Sequence, residues 1–570
     1  MDKPTIHMLS VQEKSGATRR TTQYIAAVAA AIGAVIAGTI LAWTSPALPQ
    51  LQPASPNATN IPAFVTIAGT NYTVVKELLP FIHFKGENGT NKTILVNSLL
   101  QPADFVLDTT QRVLQMRCQP RGLRWDTSSA SNFTGCLTLH AETQQCKHCC
   151  FTAGLASKMV VAIRADLVQG SLVSSILAIG AAISALPVGV LAERVGRRPT
   201  ILSLALPFLI NWLLTIFANG AAMLIAARFF AGLATGGICV AAPMYIGEIA
   251  ETSIRGSLGA FFQLFLTVGI LFTFVIGGWT HWRVLSIISA VLPPLLVAVF
   301  WWMPETPQYL LGKNRRHDAE RALRWLRGPD ADLSAELEDM QKDVDTASRQ
   351  RAGMLSMVTN RAPLMALVCS LGLMFFQQFS GINAVIFYTN NIFSAAGSNI
   401  DPVIATIIVG VVQTIATYIS SLLVEKAGRR ILLLQSCVIM GLCLIVLGVF
   451  FKMQESGSNV SALGWVPLVC LVLFIISFSL GFGPIPWMMM AELFAVEYRG
   501  SASGFAVIFN WCLVFIVTLC FPIMKEVIGI YSCFWFFAAF MVACIFFVFF
   551  LIPETKGKTV SQIQTILGGK

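Results

Sequence analysis

Apolar runs of about twenty residues, the length needed to cross a hydrocarbon layer ~30 Å thick, recur twelve times along the chain. They lie near 24–43, 170–191, 200–218, 222–246, 257–279, 284–303, 363–389, 402–424, 431–451, 466–490, 501–523 and 530–552. The pattern predicts an all-α membrane protein with twelve transmembrane helices. Polar residues ending in Arg19-Arg20 precede the first run, and no small-residue cleavage site is suitably placed, so this run reads as a signal anchor. Two polar stretches are long, 44–169 and 304–362. The second carries helical stripes, Ala319, Ala322, Leu323 and Leu326, then Leu333, Leu337, Met340 and Val344. The expected organisation is a terminus 1–23, a six-helix half 24–303 that includes the loop 44–169, a helical linker 304–362, a second half 363–552 and a tail 553–570.

Composition agrees with a chain that faces lipid. Apolar residues make up 55% and charged ones 12%, against ~25% charged in soluble domains. A mean hydropathy of +0.70 excludes a disordered chain. The net charge of +10 reports topology and calls for no nucleic-acid partner. Arg194, Arg197, Arg198, Arg255, Lys426, Arg429, Arg430 and Arg499 gather on one face, against Arg283, Lys452 and Lys525 on the other. The first face is expected to be cytoplasmic, with both termini on that side. Sequons at Asn57, Asn71, Asn88, Asn91, Asn132 and Asn459 all fall on the opposite side. So do Cys118, Cys136, Cys146, Cys149 and Cys150, where disulfides are the default and an odd number leaves one thiol over. The Cys146-Lys-His148-Cys149-Cys150 run completes no closed four-ligand zinc pattern, so no metal is expected. One charge stands inside a span: Arg228, which can snorkel or cap carbonyls.

The two halves repeat. Glu193-Arg194-Val-Gly196-Arg197-Arg198 returns as Glu425-Lys426-Ala-Gly428-Arg429-Arg430, 232 residues later. Glu248 followed by Arg255-Gly256 returns as Glu492 followed by Arg499-Gly500, and Pro304-Glu305-Thr306 as Pro553-Glu554-Thr555. Duplicated halves of this kind hold substrate at their interface and rock about it. Acids and arginines at helix ends on one face can pair and separate as a gate, and the candidates are Arg194, Glu248, Arg255, Glu305, Arg429, Arg430, Glu492, Arg499 and Glu554.

With Arg228-Phe-Phe-Ala-Gly232, Pro243-Met-Tyr245-Ile-Gly-Glu248, Gln377-Gln378-Phe-Ser380-Gly381-Ile-Asn383 and Gly481-Phe-Gly483-Pro484-Ile-Pro486-Trp487, these motifs resemble the sugar porter family of the major facilitator superfamily. The segment 42–49 is more similar to arthropod trehalose transporters than to vertebrate glucose carriers. Glu193 replaces the usual Asp and Ser421 the repeated Gly. The resemblance implies carriage of a neutral sugar by alternating access. A ring of hydroxyls suits neutral amides and an aromatic face, and the spans offer Gln263, Gln377, Gln378, Asn383, Gln413, Trp487 and Asn510. By resemblance all but Gln413 fall on sugar-contacting positions; Gln413 stands where glucose carriers have Asn, and Ser479 where several have Glu. A helix unwound near Gly381 would let Gln377, Gln378 and Asn383 reach one cavity. Gly481, Gly483, Pro484 and Pro486 predict a break, and hence a hinge, in the tenth span.

The first span lacks the acid that proton-coupled relatives keep, with Ile40 near that position. Facilitated, downhill movement is therefore expected, with proton symport and a non-transporting sugar receptor as rivals. No phosphate loop or nucleophile and base arrangement suggests an enzyme, and no cofactor is expected. The expected partners are a sugar and the lipid bilayer. No dileucine signal is evident, which makes the plasma membrane the default.

Overall fold

A computed structural model of the chain describes residues 20–51, 153–251, 253–329, 331–349, 359–396, 401–458, 460–494, 496–558 and 560–568, with eight short strands between residues 64 and 150. Twelve helices among them are long and apolar enough to cross a membrane. In order they are Arg20–Leu51, Gln169–Val195, Arg197–Ile216, Ala221–Ile249, Leu258–Trp279, Trp282–Phe300, Arg361–Ala396, Pro402–Val424, Arg429–Glu455, Val466–Met490, Ala502–Ile528 and Ile530–Leu551.

These spans pack as two sets of six. In the first set, span 1 lies against spans 4, 5 and 6, and span 3 against spans 4 and 6. In the second, span 9 lies against spans 10 and 12, span 8 against span 10, and span 7 against span 11. The sets meet where span 5 runs along span 8. Lipid supplies no hydrophobic drive between helices, so close approach rests on small residues. A β-carbon placed on Gly232 would lie 2.0 Å from the Leu177 carbonyl oxygen and 2.9 Å from Gly180 Cα, so spans 2 and 4 touch backbone to backbone. Gly38 and Gly269 bring spans 1 and 5 together in the same way.

The first span outruns its apolar run by eight residues. Helix Thr44–Leu51 extends it through Thr44, Ser45, Pro46 and Pro49, residues that end a hydropathy signal at 43. Pro46 sits in the first turn of that helix, where a missing N–H costs nothing. Gln50 secures the far end by donating to Thr280 O at 3.3 Å and accepting from Trp282 N at 3.0 Å.

Outside the spans, helices Pro307–Gly312, Arg316–Arg327 and Ser334–Arg349 share a small core of Leu310, Leu311, Ala319, Leu323, Leu333 and Leu337. Arg327, 1% exposed, fixes this core to the first set: it donates to Ile249 O at 2.9 Å and reaches Glu336 at 2.7 Å, while Thr22 Oγ1 donates to Leu326 O at 2.8 Å. The tail helix Val560–Gly568 belongs to the second set, burying Ile563 and Leu567 and donating from Gln564 to Leu493 O.

Residues 51–169, taken by themselves, form a separate unit. Strands Phe64–Ile67, Thr70–Val75, Phe81–Gly86 and Asn91–Leu95 make an antiparallel meander, Phe105–Asp108 pairs with Val113–Met116, and Cys136–Leu137 pairs with Cys149–Cys150. A scan for twenty-residue apolar runs does not register strands of this length. Asn71 and Asn91 lie within strands, whereas Asn57, Asn88, Asn132, Asn459, Cys118 and Cys146 lie outside the described residues.

Gly232→Ala should lower the thermal midpoint of the purified protein, with an overpacking cost of about 2 kcal/mol. Gly247→Ala is the control: nothing lies within 4 Å of its added carbon, so its midpoint should hold or rise slightly, as measured by intrinsic fluorescence on heating.

Candidate functional site

Two spans are broken within their length. The seventh divides into Arg361–Phe379 and Ile382–Ala396 at Ser380-Gly381, with Gly381 at φ +84°. The tenth divides into Val466–Leu480 and Ile485–Leu493 across Gly481–Pro484. The break in the seventh span gathers the amides that a straight helix would spread over different faces: Asn383 donates to Gln378, and Gln378 Nε2 lies 3.5 Å from Gln377 Oε1. Asn510 of the eleventh span donates to the same Gln377 oxygen at 3.1 Å. Gln377, Gln378 and Asn510 are each 4% exposed or less, and Asn383 is half-buried.

Gln413, in span 8, is buried with no hydrogen-bond partner for its side-chain Oε1, which leaves an acceptor available. Gln263 and Trp487 are half-buried, and neither shares a hydrogen bond with the amide cluster. Seven predicted positions thus divide into a joined group of four and three that stand separately. A buried hydroxyl, that of Ser420 in span 8, donates to Leu480 O at 3.3 Å beside the break in span 10.

At one end of the bundle the sequence repeat is reproduced in atomic detail. Arg197 donates to Glu248 Oε1 at 2.7 and 3.1 Å, Thr306 Oγ1 donates to Glu248 Oε2 at 2.6 Å, and the N–H groups of Arg197 and Arg198 donate to Glu305 at 3.1–3.3 Å. In the second half Arg429 donates to Glu492 at 3.0 Å, Thr555 to the other oxygen of Glu492, and the N–H groups of Arg429 and Arg430 to Glu554 at 3.1 Å. Arg198 and Arg430 donate to the carbonyls of Trp301 and Phe549. Glu305 and Glu554 therefore cap the N-termini of spans 3 and 9, where free N–H groups and the helix dipole favour a carboxylate. The caps require Gly196 and Gly428, at φ +118° and +90°, because a β-carbon there would sit 2.3 and 2.8 Å from the carboxylate oxygens.

Each of these ion pairs joins helices of one half. Arg194 is exposed, and its guanidinium has no partner among the described residues; only its carbonyl is engaged, by Tyr309 at 3.0 Å. The acid's partner is Arg197, which is not among the gate candidates read from the sequence although its position repeats as Arg429. Thr306 and Thr555 were legible in the same way, inside the repeated Pro-Glu-Thr. The side chains of Arg255 and Arg499 lie outside those described.

A family model described as "Sugar (and other) transporter" matches residues 126–567. The chain belongs to this sugar transporter family. It is 44% identical to a facilitated trehalose transporter of Drosophila sechellia over 70% of its length and 47% of that protein. It is 43% identical to trehalose transporter 1 of Drosophila melanogaster over the same shares. The chain thus spans about half the length of the curated relatives it matches. Among solved structures, the xylose transporter XylE from E. coli in a partially occluded inward open conformation aligns with TM-score 0.64 and 19% identity, covering 95% of this chain and 100% of that one. The proton:xylose symporter XylE bound to 6-bromo-6-deoxy-D-glucose aligns with TM-score 0.59 and 24% identity over 71% and 90%. These likenesses establish the major facilitator fold.

Within this member of the sugar transporter family, Arg228 is buried in span 4 and is held without an acid, with its Nε and Nη2 left without a hydrogen-bond partner. Arg228, 1% exposed, donates to Ile40 O at 2.8 Å and lies 5.5 Å from the centre of the Trp43 ring. Ile40 is in the last turn of helix Arg20–Ala42, so the cation meets the negative end of a helix dipole and an aromatic face. Span 1 contains no Asp, Glu or His.

The two capping carboxyls are shifted in opposite directions. Burial pushes Glu305 above the usual carboxylate range, against the N–H groups of Thr306, Arg198 and Arg197 and the charge of Arg197. Burial also acts on Glu554, but the N–H groups of Lys556, Arg429, Arg430 and Thr555 outweigh it and hold the carboxyl below that range. An acid held low stabilises the fold above the ordinary carboxylate pKa and loses that contribution as pH falls through its own value; an acid held high does the reverse. Glu554→Gln should therefore flatten the fall of the thermal midpoint between about pH 5 and 3, below the ordinary carboxylate pKa, whereas Glu305→Gln should remove a gain in stability that wild type makes above that window, as pH falls towards the ordinary value.

Proposed function

We propose that this protein carries a neutral sugar, trehalose or a hexose, across the plasma membrane by alternating access and facilitated diffusion. The observation that carries this reading is the buried group Gln377, Gln378, Asn383 and Asn510 beside two broken spans. It is a surface of donors and acceptors that suits hydroxyls and contains no charged group. Gln378, Asn383, Gln413 and Asn510 meet the sugar, Gln263 approaches from the first half, and Trp487 supplies a stacking face. The trehalose transporters among the relatives support the substrate class, and the cation of Arg228 resting on a carbonyl, with no acid in span 1, supports movement without a coupled proton.

The face that carries the arginine and glutamate networks is cytoplasmic in this reading, with residues 1–23, the linker 304–362 and the tail 553–570 on that side. The excess of basic residues there supports the orientation. The networks make each half rigid, and the halves rock against one another. The break at Gly481, Gly483, Pro484 and Pro486 is the hinge, and the cytoplasmic ends around Arg194, Glu248, Arg255, Glu305, Arg429, Arg430, Glu492, Arg499 and Glu554 part and meet as the inner gate.

Reconstitution into proteoliposomes tests the proposal. Labelled trehalose or glucose should equilibrate without accumulating, and an imposed proton gradient should leave the initial rate unchanged. Accumulation driven by the gradient would establish symport instead, and binding without exchange would establish a receptor. Gln378→Ala should abolish uptake while surface expression is retained; undiminished uptake would remove that residue from the site.

A further inference from the structure

Cys136 and Cys150 stand opposite one another in an antiparallel pair of strands. Strand Cys136–Leu137 pairs with Cys149–Cys150 in the register Cys136 to Cys150 and Leu137 to Cys149. Residues directly opposed in such a pair share a face, with Cα atoms about 4.5 or 5.5 Å apart according to the hydrogen-bonding pattern. A disulfide spans Cα separations of about 4.4–6.8 Å, so either pattern admits one at this position.

The same register excludes the nearest alternatives. Successive residues of a strand take opposite faces, which places Cys149 opposite Leu137, on the face away from Cys136 and Cys150. Cys149 could meet Cys136 only after a slip of one residue, and such a slip exchanges the two faces of the whole strand. A bond between the neighbours Cys149 and Cys150 would need both on one face. Among the described residues, Cys136 and Cys150 are the cysteines that strand pairing brings together.

We propose that Cys136 and Cys150 are joined as a disulfide, which closes residues 136–150 into a ring and ties down the strand that leads into helix Ala153–Val195. The proposal rests on the orientation given above, which puts the stretch 44–169 on the side away from the cytoplasm, where thiols are oxidised. As the S–S bond forms, the two thiols give up two protons and two electrons. The disulfide of a thiol–disulfide oxidoreductase takes them up and becomes two thiols. Cys149, on the other face, is left to Cys118, to Cys146 or to the free thiol that an odd number of cysteines requires.

The test is a disulfide map of the full chain, expressed in cultured eukaryotic cells and alkylated with N-ethylmaleimide before lysis so that no thiol can exchange. Enzymatic removal of N-glycans then leaves each occupied Asn as Asp and records the side that the loop faced. Cleavage after Glu142 and Lys147, without reduction, puts Cys136, Cys146 and the Cys149-Cys150 pair on three separate peptides. Mass spectrometry should recover the Cys136 peptide linked to that of Cys149-Cys150. The link should survive Cys149→Ser and be lost in Cys150→Ser. Cys136 alkylated as a free thiol, or linked to Cys118, Cys146 or Cys149, would overturn the proposal. So would thiols that become alkylatable only after a zinc chelator, because the pair would then be metal ligands. The wild-type map decides even where a variant does not reach the membrane. Marked asparagines together with a free Cys136 overturn this pairing alone, whereas unmarked asparagines with all five cysteines of the loop alkylated overturn the orientation and the pairing together.

Discussion

Every backbone group inside a bilayer needs a partner, and the places where this chain interrupts its helices are the places where side chains from distant segments converge. Arg228 takes Ile40 O, Ser420 takes Leu480 O and Gln377 takes Phe482 O. At helix ends Gln50 takes Thr280 O, Gln454 takes Ala395 O, Arg327 takes Ile249 O and Gln564 takes Leu493 O. The polar residues that a hydropathy profile records as flaws in apolar runs are thus what makes broken helices possible at depth. The site is assembled as a by-product: the residues that repair the breaks are amides and hydroxyls, the same groups that suit a sugar.

The duplicated charges do a different task. Arg197–Glu248–Thr306 and Arg429–Glu492–Thr555 each bind the ends of helices within one half, and Glu305 and Glu554 each cap the helix that follows the repeated glycine. Desolvation of these partly buried ions is offset by several hydrogen bonds per carboxylate, the condition under which such pairs persist. The linker core rides on the first half through Arg327 and the tail helix on the second through Gln564, so each half extends as one piece beyond the bundle.

Twelve spans, the half-length repeat and both breaks were legible in the residues, because each depends on local composition: a run long enough to cross, a motif recurring at fixed offset, glycine and proline where a helix cannot continue. Partnership was less legible. Glu248 pairs with Arg197 and not with Arg194, because residue 197 opens a new helix after the turn at Gly196 and points back toward the end of span 4. The continuation to Leu51 was hidden by two prolines and two hydroxyl residues, which a helix end tolerates and a hydropathy average penalises. Gln377, Gln378 and Asn383 looked alike in sequence. Only the carbonyl of Phe482, 105 residues away, distinguishes the first of them.

Pro484 and Pro486, the two prolines at the break in span 10, free carbonyls on either side of Gly481, and these are met from different neighbours, Leu480 O from span 8 and Phe482 O from span 7. The join between Val466–Leu480 and Ile485–Leu493 is thereby held from two neighbouring spans at once, so sequence changes in span 7 or span 8 would reach it without touching span 10 itself.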